Sequence, residues 1–132
     1  MAAKVGIVLV SHSAPLAEGT AELAGQVGGE AVTIAAAGGT DDGRLGTSIG
    51  KVQRALILAE TGAGVVILPD LGSSVLTVRT LLAEPEDLPG QVAVADAPFV
   101  EGAVAAAVTA AAGGDLKAVL DAAQEARHAR KL

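Results

Sequence analysis

The sequence predicts an α/β fold: a three-layer sandwich around a mostly parallel sheet of strand order 2-1-3-4. Three observations carry this. Short, nearly continuous apolar runs recur, as in strands buried on both faces. Each run is followed by a segment of helical apolar period. Glycine, proline and aspartate cluster at the junctions. The resulting alternation, βαβαβαβα with one further helix, implies right-handed crossovers that place helices on both faces.

The first strand is Val5 to Val10, followed by the polar turn Ser11-His12-Ser13. Ser13 is suited to cap the first helix, and Pro15 falls in its first turn, where the missing N–H costs little. Leu16, Thr20, Leu23 and Val27 share one face of that helix, which Gly28-Gly29 stops. Strand two is expected over Ala31 to Ala36. The stretch Gly38 to Gly46 holds four glycines and two aspartates and reads as a loop. Thr47 would cap helix two, with Ile49, Val52, Leu56 and Ala59 inward. Strand three, Val65 to Leu68, runs into Pro69-Asp-Leu-Gly-Ser-Ser74. Helix three turns Val75, Val78 and Leu82 inward and must end before Pro85. The loop Glu84 to Gly90 is acidic and proline-rich. Strand four is Val92 to Ala95, and Asp96-Ala-Pro98 leads into helix four, Phe99 to Ala112. Gly113-Gly114 ends it. Asp115 caps a fifth helix with Leu116, Val119, Leu120 and Ala123 inward. The tail Arg127 to Lys131 places basic residues at a helix C-terminus, where the macrodipole favours them.

The 132 residues suit one domain, 1–132, with neither an internal repeat nor a long linker. Half the residues are hydrophobic, yet no run approaches the roughly 18 that a membrane span needs. Lys4 precedes too short an apolar stretch for a secretory signal. With no cysteine, disulfides and thiolate chemistry are excluded, which fits a reducing cytoplasm. The net charge of −6 argues against nucleic-acid backbones, and Phe99, the sole aromatic, argues against base stacking.

In a 2-1-3-4 sheet the switch point lies between strands one and three, where ligands gather beyond the carboxyl ends. His12 and Asp70 lie at those two ends and should face each other. A carboxylate bonded to one imidazole nitrogen fixes the tautomer and leaves the other nitrogen free as a nucleophile. Gly72, Ser73 and Ser74 open helix three beside the pair, where backbone N–H groups suit a phosphoryl group. Ser11 and Ser13 add hydroxyls, and Thr47 starts another helix nearby. Each feature has a plainer reading, as a surface histidine, a turn former or a cap; their conjunction at one switch point singles them out. Asp41 and Asp42 read as loop solvation, so no metal site is evident. His128 reads as a solvated side chain. Gly38-Gly39 lacks the spacing of a dinucleotide fingerprint.

The segment Val8-Leu-Val-Ser-His-Ser-Ala-Pro-Leu-Ala-Glu-Gly19 resembles the active-site segment of the phosphotransfer subunits of phosphoenolpyruvate-dependent dihydroxyacetone kinase. These are relatives of the mannose-type IIA domains of the sugar phosphotransferase system. Ala35 to Asp42 with Gly46-Thr-Ser48, Asp70 to Ser74, and Phe99-Val-Glu-Gly102 agree in order. The resemblance implies a mannose-type IIA-like fold, a cytoplasmic homodimer and phosphorylation of His12 by the small histidine-phosphocarrier protein (HPr). It further implies onward transfer to ADP held in the nucleotide-binding subunit of the kinase, with Asp70 orienting the ring. It implies no cofactor within this chain. Ser11, Ser13, Thr47, Gly72, Ser73 and Ser74 would hold the phosphoryl oxygens. Some members carry fused phosphocarrier domains; this chain would draw on a separate donor. Mannose-type IIA domains show His-Gly and Gly-Gly-Ser-Pro where this chain has His12-Ser13 and Leu71-Gly-Ser-Ser74, which favours the dihydroxyacetone branch.

Four rivals remain. A sugar-transporter IIA domain shares the fold. An aspartate-phosphorylated receiver would need an acidic pair after strand one, and a histidine phosphatase an arginine nearer than Arg44. A non-catalytic dimerising α/β module would need only the alanine-rich helices.

Overall fold

The computed structural model describes residues 2–132. Its elements are β1 (Gly6–Ser11), α1 (Ala14–Gly28), β2 (Ile34–Gly38), α2 (Ile49–Ala59), β3 (Val65–Pro69), α3 (Gly72–Leu82), β4 (Val92–Val94), α4 (Phe99–Ala111) and α5 (Leu116–Glu125). Short 3₁₀ turns follow α3 and α5, at Pro85–Asp87 and Ala126–His128. The four strands are all parallel in the order β2-β1-β3-β4.

The central strands explain the layers. Every residue of β1 and β3 is buried, and alternate side chains leave by opposite faces. Ile7, Leu9, Val66 and Leu68 pack with α1, α4 and α5. Val8, Val10, Val65 and Ile67 pack with Val52, Leu56, Val78 and Leu81 of α2 and α3.

Several local expectations change. Strand two starts three residues late and runs to Gly38. A Cβ on Gly38 would lie 2.6 Å from the Ser13 carbonyl oxygen, so only glycine lets the strand pass under the start of α1. The inward face of α1 is Ala17, Thr20 and Ala24, while Leu16, Leu23 and Val27 are exposed. Small residues win because α1 packs closely on α4: a Cβ on Gly28 would meet that of Ala107 at 2.8 Å. Ser48, not Thr47, caps α2, accepting from the Lys51 N–H at 3.2 Å, and Ile49 at its first turn is exposed. In α3, Ser74, Val78 and Leu81 are buried, with Val75 and Leu82 only half-buried.

Candidate functional site

Parallel pairing of β1 with β3 brings their carboxyl ends together. The Asp70 N–H continues that ladder onto the Val10 carbonyl at 2.9 Å, so Asp70 leaves β3 beside His12. Ser13 caps α1 and accepts from the Leu16 N–H at 3.3 Å, which ends the turn carrying His12. The β2–α2 loop closes the third side: Gly46 N–H donates to the His12 carbonyl at 2.9 Å, and Gly39 N–H to that of Ser11 at 3.1 Å.

Asp70 is the hub. Its Oδ2 accepts from Ser11 Oγ at 2.9 Å and from the His12 N–H at 3.0 Å. Its Oδ1 accepts from His12 Nδ1 at 3.0 Å, Leu71 N–H at 2.7 Å and Ser74 Oγ at 2.5 Å. The carboxylate is 7% exposed. Burial by itself would raise its pKa. Bonds from Ser74, the His12 backbone and ring, and Ser11 outweigh that and hold it at about 2, against an ordinary 3.8.

An ionised carboxylate only accepts, so the proton on the His12 ring sits on Nδ1 and the lone pair on Nε2. Ser73 Oγ lies 2.6 Å from Nε2 and donates to it. Ser74 gives its proton to Asp70, and its oxygen lies 3.2 Å from Nδ1. The ring is one-quarter exposed, so Nε2 is the nitrogen available for reaction.

The expected site residues therefore divide by geometry. His12, Asp70, Ser73 and Ser74 form one bonded cluster. Gly72 and Ser73 are the first residues of α3, whose N-cap Leu71 makes no side-chain cap bond. A Cβ on Gly72 would meet no protein atom within 4 Å. Ser13 borders the cluster with its hydroxyl proton uncommitted among the described residues. Ser11 differs from expectation: fully buried, it gives its proton to Asp70 and accepts from Ser13 N–H at 3.0 Å, so it braces the carboxylate. Thr47 also differs: its hydroxyl pairs with Thr77 Oγ1 at 2.6 Å and clasps the loop to α3. Thr77 and the Gly46 N–H carried no signal in the sequence, because their partners are set only by folding. His128 lies far along the chain, exposed, 4.0 Å from Glu125. Asp42 is occupied by Arg44 and Thr40, and Asp41 by Ser48 Oγ. Among the described residues no group of three His, Asp or Glu could hold a metal ion, and no helix is long and apolar enough to cross a membrane.

Comparison with known proteins places this arrangement. The family model described as PTS system fructose IIA component matches residues 6–120. The phosphoryl donor subunit DhaM of PEP-dependent dihydroxyacetone kinase 2 from Listeria innocua is 36% identical over 117 residues, covering 88% of this chain and 94% of the relative. The Escherichia coli phosphoryl donor subunit DhaM is 38% identical over 132 residues; the match covers 96% of this chain and 28% of that longer protein. The crystal structure of a protein of unknown function, EF1359, superposes with a TM-score of 0.82 at 38% identity, covering 92% of this chain and 94% of the other.

Proposed function

The chain belongs to the PTS IIA component family, among the phosphoryl donor subunits of PEP-dependent dihydroxyacetone kinase, and from that premise we propose that it is a phosphohistidine relay. It takes a phosphoryl group from an HPr-type phosphocarrier and hands it to ADP bound in the nucleotide-binding subunit of a dihydroxyacetone kinase. Residues 1–132 act as one phosphotransfer domain, in the cytoplasm and as a homodimer.

The observation that carries this reading is the Asp70–His12–Ser73 line, which protonates Nδ1 and leaves the Nε2 lone pair outward. Nε2 attacks phosphorus in line, the new Nε2–P bond forms, and the donor's N–P bond breaks with its electron pair returning to the donor nitrogen. Positive charge developing on the ring is met by the ionised Asp70. The Ser73 hydroxyl, which lies against Nε2, turns to a phosphoryl oxygen. Ser13 Oγ and the N–H groups of Gly72 and Ser73 receive the others, favoured by the positive end of α3. Catalysis is positioning and electrostatics. The phosphoryl group then leaves Nε2 for the terminal oxygen of ADP, and the lone pair returns to the ring.

The test is mass spectrometry of the chain after incubation with phosphoenolpyruvate, enzyme I and phosphocarrier protein. The expected result is one acid-labile phosphate on His12, discharged by the nucleotide-binding subunit with ADP. The matching family description favours a second reading, the IIA component of a sugar transporter. Discharge to a sugar-specific IIB protein rather than to ADP would select it.

A further inference from the structure

A second crevice opens at the carboxyl end of the sheet, on the side of β3 away from β1 and His12. It is a cavity of about 520 Å³ between α3 and β4, a size at which small-molecule sites are found. Pro69, Val75, Leu82, Val94 and Ala95 supply apolar walls. Val75 and Leu82 stay half-buried, as does all of β4, because the cavity holds α3 off the edge strand. Space beyond the carboxyl ends of parallel strands is where open α/β sheets take ligands.

The charges in the walls narrow the occupant. Arg79 shares one face of α3 with Gly72 and Val75. Helical side chains lean toward the N-terminus, which turns its guanidinium back into the cavity. Among the described residues that guanidinium makes neither an ion pair nor a hydrogen bond, whereas Arg44, Lys117, Arg127 and Lys131 each meet a carboxylate. Both acids in the walls are already taken: Asp96 by Arg127, and Asp70 by its donors on the His12 side. The uncompensated charge is therefore one fork-shaped cation above an apolar floor. A nucleotide would bring several phosphate charges to that one cation and find no aromatic ring in the walls. An uncharged ligand would leave Arg79 unmet.

We propose that this crevice is a binding site for a small organic monoanion, with its carboxylate on Arg79 and a short aliphatic chain along Val75, Leu82 and Val94. The chain supplies affinity by taking out of water apolar side chains that the fold leaves wet. The carboxylate fixes orientation, since a guanidinium can meet it through two parallel bonds. The site shares only the segment Asp70 to Gly72 with the phosphoryl site across β3. It fills without phosphorylation of His12, so it stands apart from the relay function.

The test is an NMR titration of the full, isotopically labelled chain with hexanoate. Backbone amides of Val75, Arg79, Val94 and Ala95 should shift and saturate with a Kd of about 1 mM, the strength expected of a well-seated ligand this small. Arg79→Gln should weaken hexanoate about tenfold or more, and hexanol should bind the wild-type chain weaker by a similar factor. Acetate, which keeps the head and loses the chain, should not saturate. Arg54→Gln, on α2 beside a different groove, should change nothing. Shifts that are absent or rise without saturating would overturn the site. Hexanoate affinity within twofold of wild type in Arg79→Gln would also overturn it, as would hexanol binding as tightly as hexanoate. Binding that emerges only on dilution of a dimer to monomer would give the crevice to a second copy of the chain, and the proposal would fail.

Discussion

Asp70→Asn separates the folding role of the carboxylate from its chemical one. In the wild type five donors converge on two oxygens. A carboxamide can accept on only one side. If its nitrogen replaces Oδ1, it faces the Leu71 N–H, and it presents an N–H to the ring that draws the imidazole proton over to Nε2. If it replaces Oδ2, it faces the His12 N–H and the Ser11 hydroxyl. Either way at least one backbone donor loses its acceptor. Holding the carboxyl at about 2 against an ordinary 3.8 is worth about 2 kcal/mol of folding stability. The pKa is depressed in the folded state, so this stabilisation is complete above pH 4 and is lost as the pH falls toward 2.

Asp70→Asn should therefore be about 2 kcal/mol less stable than wild type at pH 7, or about 7 °C in Tm, while remaining folded. The difference should shrink on acidification from pH 5 to pH 2, because only the wild type loses this contribution. Phosphoryl uptake should fall on the order of 10⁴-fold, as for the same change at the serine-protease triad, where the wrong tautomer is also favoured. The assay pairs urea melts between pH 2 and 7 with acid-labile label followed over time. A folded Asp70→Asn chain that takes up label within tenfold of wild type would refute the tautomer argument. A stability gap that does not change with pH would refute the account of the carboxylate.

His12→Ala should fold and take up no label, and His128→Ala should be labelled like wild type; label retained in the first, or lost in the second, would move the site. Gly38→Ala drives a methyl against the Ser13 carbonyl oxygen and the Ala14 Cα, so it should cost about 1–3 kcal/mol in urea melts and slow uptake through the displaced His12 turn. Gly19→Ala, in the middle of α1 with no atom within 4 Å of the new methyl, should instead stabilise by about 0.5–1 kcal/mol. Sedimentation at micromolar concentration should give the mass of a dimer; a monomer mass would count against the homodimer.

What was legible in the sequence follows from how strongly each position constrains its neighbours. β1 and β3 read clearly because both faces are covered, which leaves nearly unbroken apolar runs. The meeting of His12 and Asp70 read clearly because strand order alone determines it. β2 did not, because its alanines are neither good strand formers nor large enough to announce burial, and its end is decided by the space beneath Ser13 at Gly38. The hydroxyl groups resisted for another reason. A serine has one proton to give, and its destination depends on partners distant in sequence, so Ser11 and Thr47 looked equivalent to Ser73 until Asp70 and Thr77 were placed.

The misread face of α1 follows from how closely two helices approach each other. Hydrophobic periodicity weights leucine above alanine, so it grouped Leu16, Leu23 and Val27 with Thr20 on one face, of which only Thr20 is buried. The helix interface selected Ala17, Thr20 and Ala24, because α1 and α4 approach too closely for larger side chains. Once alanines fill the helix interface, leucines exceed what the core requires. Leu16, Leu23 and Val27 are left on the exposed side of α1. A close alanine interface therefore leaves leucine and valine on the outer face of the same helix, which hydrophobic period alone cannot tell from the inner one.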